Sequence, residues 1–270
     1  MSKTLLLTGA TDGIGFVAAK MFVEQGHRVL LHGRNEEKLQ HVQAQLLDLY
    51  SDAKVDTFLA DLSDLDQVVA MAKAVRSHYS ELDALINNAG VFHANPTQTR
   101  QGFDIRFAVN TFAPVVLTEQ LMPLLKRKEA RVVNLSSAAQ ASVDIDAMIH
   151  HKPLNANAAY AQSKLALTIW SRVNGLAHQS QGPMMVAVNP KSLLGSKMVK
   201  EAYGIDGGDI RLGADIICRA ALDSEFDNAH GQYYDNDIEA FGPPHPDALN
   251  AQTSQAVCQA IENTLRPWLV

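Results

Sequence analysis

The sequence predicts an α/β protein, a doubly wound parallel sheet of about seven strands in one domain covering residues 1–270. Three observations lead there. Short apolar segments alternate with longer amphipathic ones along the chain. The short segments are apolar on both faces, as strands are when helices cover both sides of a parallel sheet. No linker-like tract divides the 270 residues, 47% of them hydrophobic and 19% charged, which is enough apolar material for one well-packed core. Regular strand–helix alternation makes βαβ units, and right-handed crossovers then wind the sheet in both directions.

The elements follow in order. "KTLLLT" (Lys3–Thr8) is the first strand, and "GIGFVAAKMFVEQG" the first helix, stopped at Gly26 as a helix C-terminus commonly is. "HRVLLHG" and "EEKLQHVQAQLLDLY" form the second strand–helix pair, "AKVDTFLAD" and "LDQVVAMAKAVRSHY" the third. "LDALINNAG" is a fourth strand, residues 99–128 a helical stretch, and "ARVVNLSS" a fifth strand. A helix spans residues 157–179, and a sixth strand precedes "VNPKSLLGSKM". The Pro/Gly-rich "FGPPHP" (Phe241–Pro246) is expected to be a loop before one final helix over residues 246–266.

Two local patterns carry chemistry. "TGATDGIG" (Thr8–Gly15) follows the first strand and opens the first helix, with Gly9, Gly13 and Gly15 spaced G-x-x-x-G-x-G. Glycines there permit a tight turn and close backbone approach to a pyrophosphate, and the helix N-terminus offers unpaired N–H groups to that anion. The second strand ends His32-Gly33-Arg34, with no acidic residue to hold a ribose 2′-hydroxyl. Arg34 can instead clamp a 2′-phosphate, so NADP(H) is favoured over NAD(H), although Asp12 places a carboxylate in the loop. The other pattern is "AAYAQSKLALTIW" (Ala158–Trp170), where Tyr160 and Lys164 share a helix face one turn apart.

Together these motifs resemble the short-chain dehydrogenase/reductase family over essentially the whole chain. They are "TGATDGIG" at Thr8, "ADL" ending at Leu62, "NNAG" at Asn87–Gly90, "VN" at Asn110, "VVNLSS" ending at Ser137, and "YAQSK" at Tyr160–Lys164. The resemblance implies a Rossmann-like fold in which Asp61 and Leu62 flank an adenine and Asn88, Ala89 and Gly90 line the cofactor cleft. It also implies cofactor contacts from Thr11, Ile14, Pro190 and Leu193, and a catalytic group of Asn110, Ser137, Tyr160 and Lys164. That group would interconvert an alcohol and a ketone or aldehyde.

The residue types suit that chemistry. A free tyrosine titrates near ~10 and is a poor base at neutral pH. A cation at ~4 Å in an effective dielectric of ~20 is worth about 4 kcal/mol, which draws a phenol towards neutrality. Ser137 would supply a hydroxyl to the substrate oxygen, or Ser136 in its place, since neighbouring strand residues face opposite ways. The resemblance further implies that Lys164 binds the nicotinamide ribose and that Asn110 anchors a proton-relaying water. Ala158, Ala159, Ala161 and Ser163 would let this helix approach its neighbours closely.

Two segments depart from the family pattern and frame the substrate: residues of about 138–157 and 190–210. The insertion "AAQASVDIDAMIHHKPLNANA" is similar to the branch containing retinol dehydrogenases and the WW-domain-containing oxidoreductase. It is expected either to wall the substrate pocket with Ile145, Met148 and Ile149 or to form a surface excursion. After the sixth strand the family generally has Pro-Gly, and here Pro190 precedes Lys191. Lysine is strained at the positive φ that glycine accepts, so either the loop bends differently or Lys191 brings a charge near the cofactor. Leu193, Leu194, Met198 and Tyr203, interspersed with glycines, suit a mobile lid over an apolar substrate.

A net charge of −6 argues against a nucleic-acid surface, and no apolar run approaches the ~20 residues that span a bilayer. "MSKTLLLTGATDG" is too short in apolar residues for a secretory signal. Cys218 and Cys258 make no disulfide framework or metal spacing, and the His150–His151 pair is expected at the surface. A cytoplasmic protein that turns over a small, apolar carbonyl or alcohol is the expectation. The alternatives are an NAD-linked alcohol dehydrogenase and a non-catalytic dinucleotide-binding sensor or scaffold. Residues 110–128 and 157–179 are candidate faces for a homodimer.

Overall fold

Eight strands form one sheet in the order β3-β2-β1-β4-β5-β6-β7-β8. The computed structural model describes residues 2–269 except Lys126 and His151, without the side chains of Ala202 and Tyr203. The second histidine of the His150–His151 pair and the Tyr203 ring of the expected lid therefore lie outside the described residues.

The strands are β1 (Thr4–Leu7), β2 (Arg28–Gly33), β3 (Lys54–Leu59), β4 (Ala84–Asn87), β5 (Arg131–Leu135), β6 (Met184–Asn189), β7 (Tyr233–Asp235) and β8 (Ala240–Gly242). The first seven pair in parallel, and β8 runs antiparallel to β7. The seven parallel strands match the expected count, and β8 adds an antiparallel eighth at the edge. Phe241 and Gly242 were expected in a loop, yet Tyr234 pairs with Phe241 across a hairpin. Phe241 stacks on Phe226 and Tyr234, with ring centres 5.1 Å from each, and that aromatic packing explains the strand.

Helices cover both faces. They are α1 (Gly13–Glu24), α2 (Glu36–Leu49), α3 (Leu65–His78), α4 (Ile105–Phe107), α5 (Ala113–Leu121), α6 (Ile145–His150), α7 (Ala156–Ala177), α8 (Lys197–Tyr203), α9 (Ile210–Leu222), α10 (Pro246–Leu249) and α11 (Ala251–Leu265). Two cores result. Leu6, Leu30, Leu85 and Val132 face one with α3, α5, α7 and α11, while Leu5, Leu7, Val29 and Ile86 face the other with α1 and α9. Alternate residues of a single strand thus feed opposite cores, as the pleat requires.

Two helices are cut differently from expectation. Residues 99–104 precede helix proper, and α4 joins α5 through a π-helical turn, Ala108–Phe112. The last helix breaks at Asn250, whose side-chain oxygen accepts the Thr253 amide and caps α11. The apolar side chains of α5 and α7 are mostly buried in the chain's own core, with Leu176 the large exception at 46% exposure. No helix of the described residues is long and apolar enough to cross a membrane.

Candidate active site

The strand order reverses between β1 and β4, and a crevice at their C-terminal ends is where an open α/β sheet binds ligands. A cavity of about 540 Å³ lies there. One end of it is the glycine loop. Gly9 has φ +66°, and an added methyl group would come 2.9 Å from Ala89 Cα. A methyl group at Gly15 would overlap the Gly9 carbonyl oxygen. Only glycine fits either position. The Asp12 carboxylate caps α1 by accepting the Gly13 amide at 2.8 Å, and the residue also lines the cavity.

The "NNAG" segment holds that loop in place. Thr8 Oγ1 accepts the amides of Asn88 and Ala89, each at 3.0 Å, and Asn88 Nδ2 donates to the carbonyls of Thr8 and Gly9. Thr8 was not singled out from the sequence, although it stands first in "TGATDGIG". His32 was missed as well. Its Nδ1 accepts the Gly9 amide and its Nε2 pairs with the Ala60 carbonyl, both at 3.1 Å, so the ring is neutral with its proton on Nε2. Burial pushes its pKa down to about 4. His32 thereby couples the glycine loop to the segment carrying Asp61 and Leu62, which also line the cavity.

Beside the glycine loop the lining includes Thr11, Arg34, Asn35 and Lys38. Neither Arg34 nor Lys38 forms an ion pair among the described residues. Lys38 is a second cation that the sequence reading did not use. It was detectable one helical turn beyond Arg34.

At the far end lie Tyr160 and Lys164, with Gly90 and Pro190 beside them. Lys164 is 4% exposed, and its ammonium donates to the Leu135 carbonyl at 2.6 Å. It sits 5.8 Å from the Tyr160 ring centre. Burial lowers its pKa to about 8. A methyl group at Gly90 would approach Lys164 Nζ to 3.6 Å and Met198 Cε to 3.8 Å, so α8 reaches over the same floor.

Asn110 lies on the π-helical turn, fully buried behind Gly90. Its Oδ1 accepts the Val91 amide at 2.8 Å, and its Nδ2 donates to the Val91 carbonyl and to Ser163 Oγ. The side chain thus brackets the loop after β4 against α7. Of the two serines, Ser136 shares a 2.6 Å hydrogen bond with Thr168 Oγ1 inside the fold, while Ser137 Oγ accepts the Ala139 amide and stays half-buried. Ser137, Asn110 and Leu193 are not among the lining residues, whereas Ser136 is. Leu193 is 48% exposed.

The apolar part of the cavity was legible only in part. Val91, Phe92, Ile105, Val109 and Met198 line it, with His93 at its edge. The Phe92 ring packs at 5.0 Å on Tyr160 and at 4.7 Å on His93. The insertion takes neither expected course. Ala147 and Met148 of α6 are fully buried, Met148 within the hydrophobic core against which Ile145 and Ile149 pack, and none of them lines the cavity. Lys191 does adopt a positive φ, +117°, but its ammonium points away from the cavity to the Asn236 carbonyl at 3.2 Å.

Comparison with known proteins agrees with this geometry. The short chain dehydrogenase family model matches residues 3–203. Human polyprenol dehydrogenase is 32% identical over 176 residues, which is 63% of this chain but only 53% of that protein's length. Mouse retinol dehydrogenase 13 is 27% identical over 271 residues, covering 94% of this chain and 80% of that one. A Shigella flexneri short chain dehydrogenase, solved complexed with NADP, superposes with a TM-score of 0.69 at 24% identity, covering 87% of this chain and 96% of that chain. The chain belongs to the short-chain dehydrogenase family and resembles its retinol dehydrogenase branch.

Proposed function

We propose that the protein is an NADP(H)-dependent oxidoreductase that interconverts an apolar alcohol and its ketone or aldehyde. The observation carrying this reading is the buried Lys164 ammonium beside the Tyr160 ring, on the floor of a cavity whose other end is the glycine loop. The residues fit a dinucleotide, because the loop at Gly9 and Gly15 has no room for side chains and Arg34 and Lys38 await an anion. Bound there, NADPH supplies the hydride that reduces a carbonyl carbon.

The chain's own groups manage the proton. Tyr160 donates its hydroxyl proton to the carbonyl oxygen as charge builds there, and takes one back in oxidation. The Lys164 cation stabilises the phenolate left behind, and Ser137 holds the substrate oxygen through its hydroxyl hydrogen. Asn110, held on the π-helical turn behind Gly90, serves the relay by anchoring a water that passes protons towards Lys164. Apolar walls at Val91, Phe92, Ile105, Val109 and Met198 suit a hydrophobic substrate, as do relatives named for polyprenol and retinol. Two free cysteines, Cys218 and Cys258, fit a reducing, cytoplasmic setting.

The test is a panel of aldehydes and ketones with NADPH or NADH, run on wild type and Arg34→Ala. NADPH oxidation should exceed NADH oxidation, and the variant should lose that preference by about tenfold or more, as expected for a charge-assisted contact. Binding of NADPH without turnover across the panel would favour the sensor or scaffold instead. An unchanged cofactor ratio would remove Arg34 from the 2′-phosphate and leave the NAD-linked alternative.

A further inference from the structure

Lys191 stands where its backbone is least comfortable. At φ +117° a Cβ crowds the neighbouring peptide, a conformation glycine takes freely and lysine does not. Yet this residue directly follows Pro190, which lines the cofactor cavity. Something outside the loop must hold it.

The turn between β7 and β8 makes the necessary contacts. Asn236 is 6% exposed, and its Nδ2 donates to the Pro190 carbonyl at 3.0 Å and the Leu212 carbonyl at 3.2 Å. Its amide donates to the Asn189 carbonyl at 3.1 Å, and its own carbonyl accepts Lys191 Nζ. Beside it, the Asp237 carboxylate accepts the Ser192 amide at 2.9 Å, Ser192 Oγ at 2.5 Å and Asn189 Nδ2 at 2.9 Å. Every residue from Asn189 to Ser192 is therefore bonded to this turn, on both sides of the strained position. Burial raises the Asp237 carboxyl, but the bonds from Ser192 and Asn189 outweigh it and leave its pKa below the usual value.

We infer that Asn236 and Asp237 are positioning residues for dinucleotide binding, clamping the Pro190–Ser192 loop into a glycine-like conformation that Lys191 would not hold unaided. The inference rests on the proposed NADP(H) site. It assigns a function to the β7–β8 turn and explains how a lysine is tolerated at this place in the loop.

A double-mutant cycle tests it, reading NADPH affinity by fluorescence titration and hydrogen exchange of the 189–194 segment without nucleotide. Asn236→Ala should weaken NADPH binding about tenfold and speed exchange at the Ser192 amide. Lys191→Gly alone should change affinity less than threefold. In the Lys191→Gly background, Asn236→Ala should then cost threefold or less, because glycine reaches the same φ without the clamp. Asp237→Ala, at the exposed end of the turn, should repeat the pattern if Asn236→Ala does not fold. Equal effects in both backgrounds, or exchange at Ser192 unchanged by either turn variant, would overturn the inference. Wild type that binds no NADPH but shows the same cycle in hydrogen exchange would overturn the cofactor reading and leave the clamp standing.

Discussion

With both ring nitrogens engaged, His32 cannot take a second proton without losing its acceptor for the Gly9 amide. Its pKa of about 4 in the folded chain lies below the ~6.5 of an unfolded one. Above ~6.5 neither state is charged, so the full stability is present there. As pH falls from ~6.5 towards 4 only the unfolded chain binds the proton, and folding weakens by up to about 3 kcal/mol. His32→Asn keeps an acceptor near the position of Nδ1 but does not titrate. Urea midpoints should show the variant less stable at pH 7, with the gap narrowing by about 2 kcal/mol at pH 5. Parallel acid profiles would show that His32 is not the group responsible. This histidine was invisible in the sequence because its meaning comes from strand register. Its partners lie 23 and 28 residues away.

Among the elements, those whose signal is local were legible. The glycine loop, the "NNAG" turn and the Tyr160–Lys164 helix face each sit within a few residues, and the structure sets all three around one cavity. Lys191 was legible only as an oddity, since the sequence left open whether the loop bends differently or the lysine reaches the cofactor, and the structure instead keeps the positive φ and turns the ammonium to Asn236. The insertion was not legible, because an apolar Ile145–Met148–Ile149 stripe fits a pocket wall as well as a core. The structure buries Met148 completely in the core. Met148→Ala should therefore cost about 2–5 kcal/mol in unfolding free energy while leaving the KM for substrate within twofold. A large KM change with little loss of stability would return α6 to the substrate pocket. Strand β8 escaped notice for a similar reason. Two prolines mask a three-residue strand that aromatic packing on Phe226 and Tyr234 secures.

For the whole molecule, one topological feature brings the chemistry together. Strands β1 and β4 lie side by side where the strand order reverses, so the loops after them open the cavity between two helix layers. Strand β5 ends at Leu135, whose carbonyl anchors Lys164 from α7, and β6 ends at the clamped loop beside Pro190. Residues more than 150 positions apart thus line one cavity without any domain boundary. The central claim is that this convergence moves a proton through Tyr160. Tyr160→Phe removes one oxygen atom and keeps the ring that packs on Phe92. Single-turnover reduction of a carbonyl substrate identified for wild type should fall by at least about a hundredfold in this variant, as loss of a general acid predicts. NADPH affinity should stay within a few-fold. Reduction at the wild-type rate, with NADPH bound normally, would contradict the account.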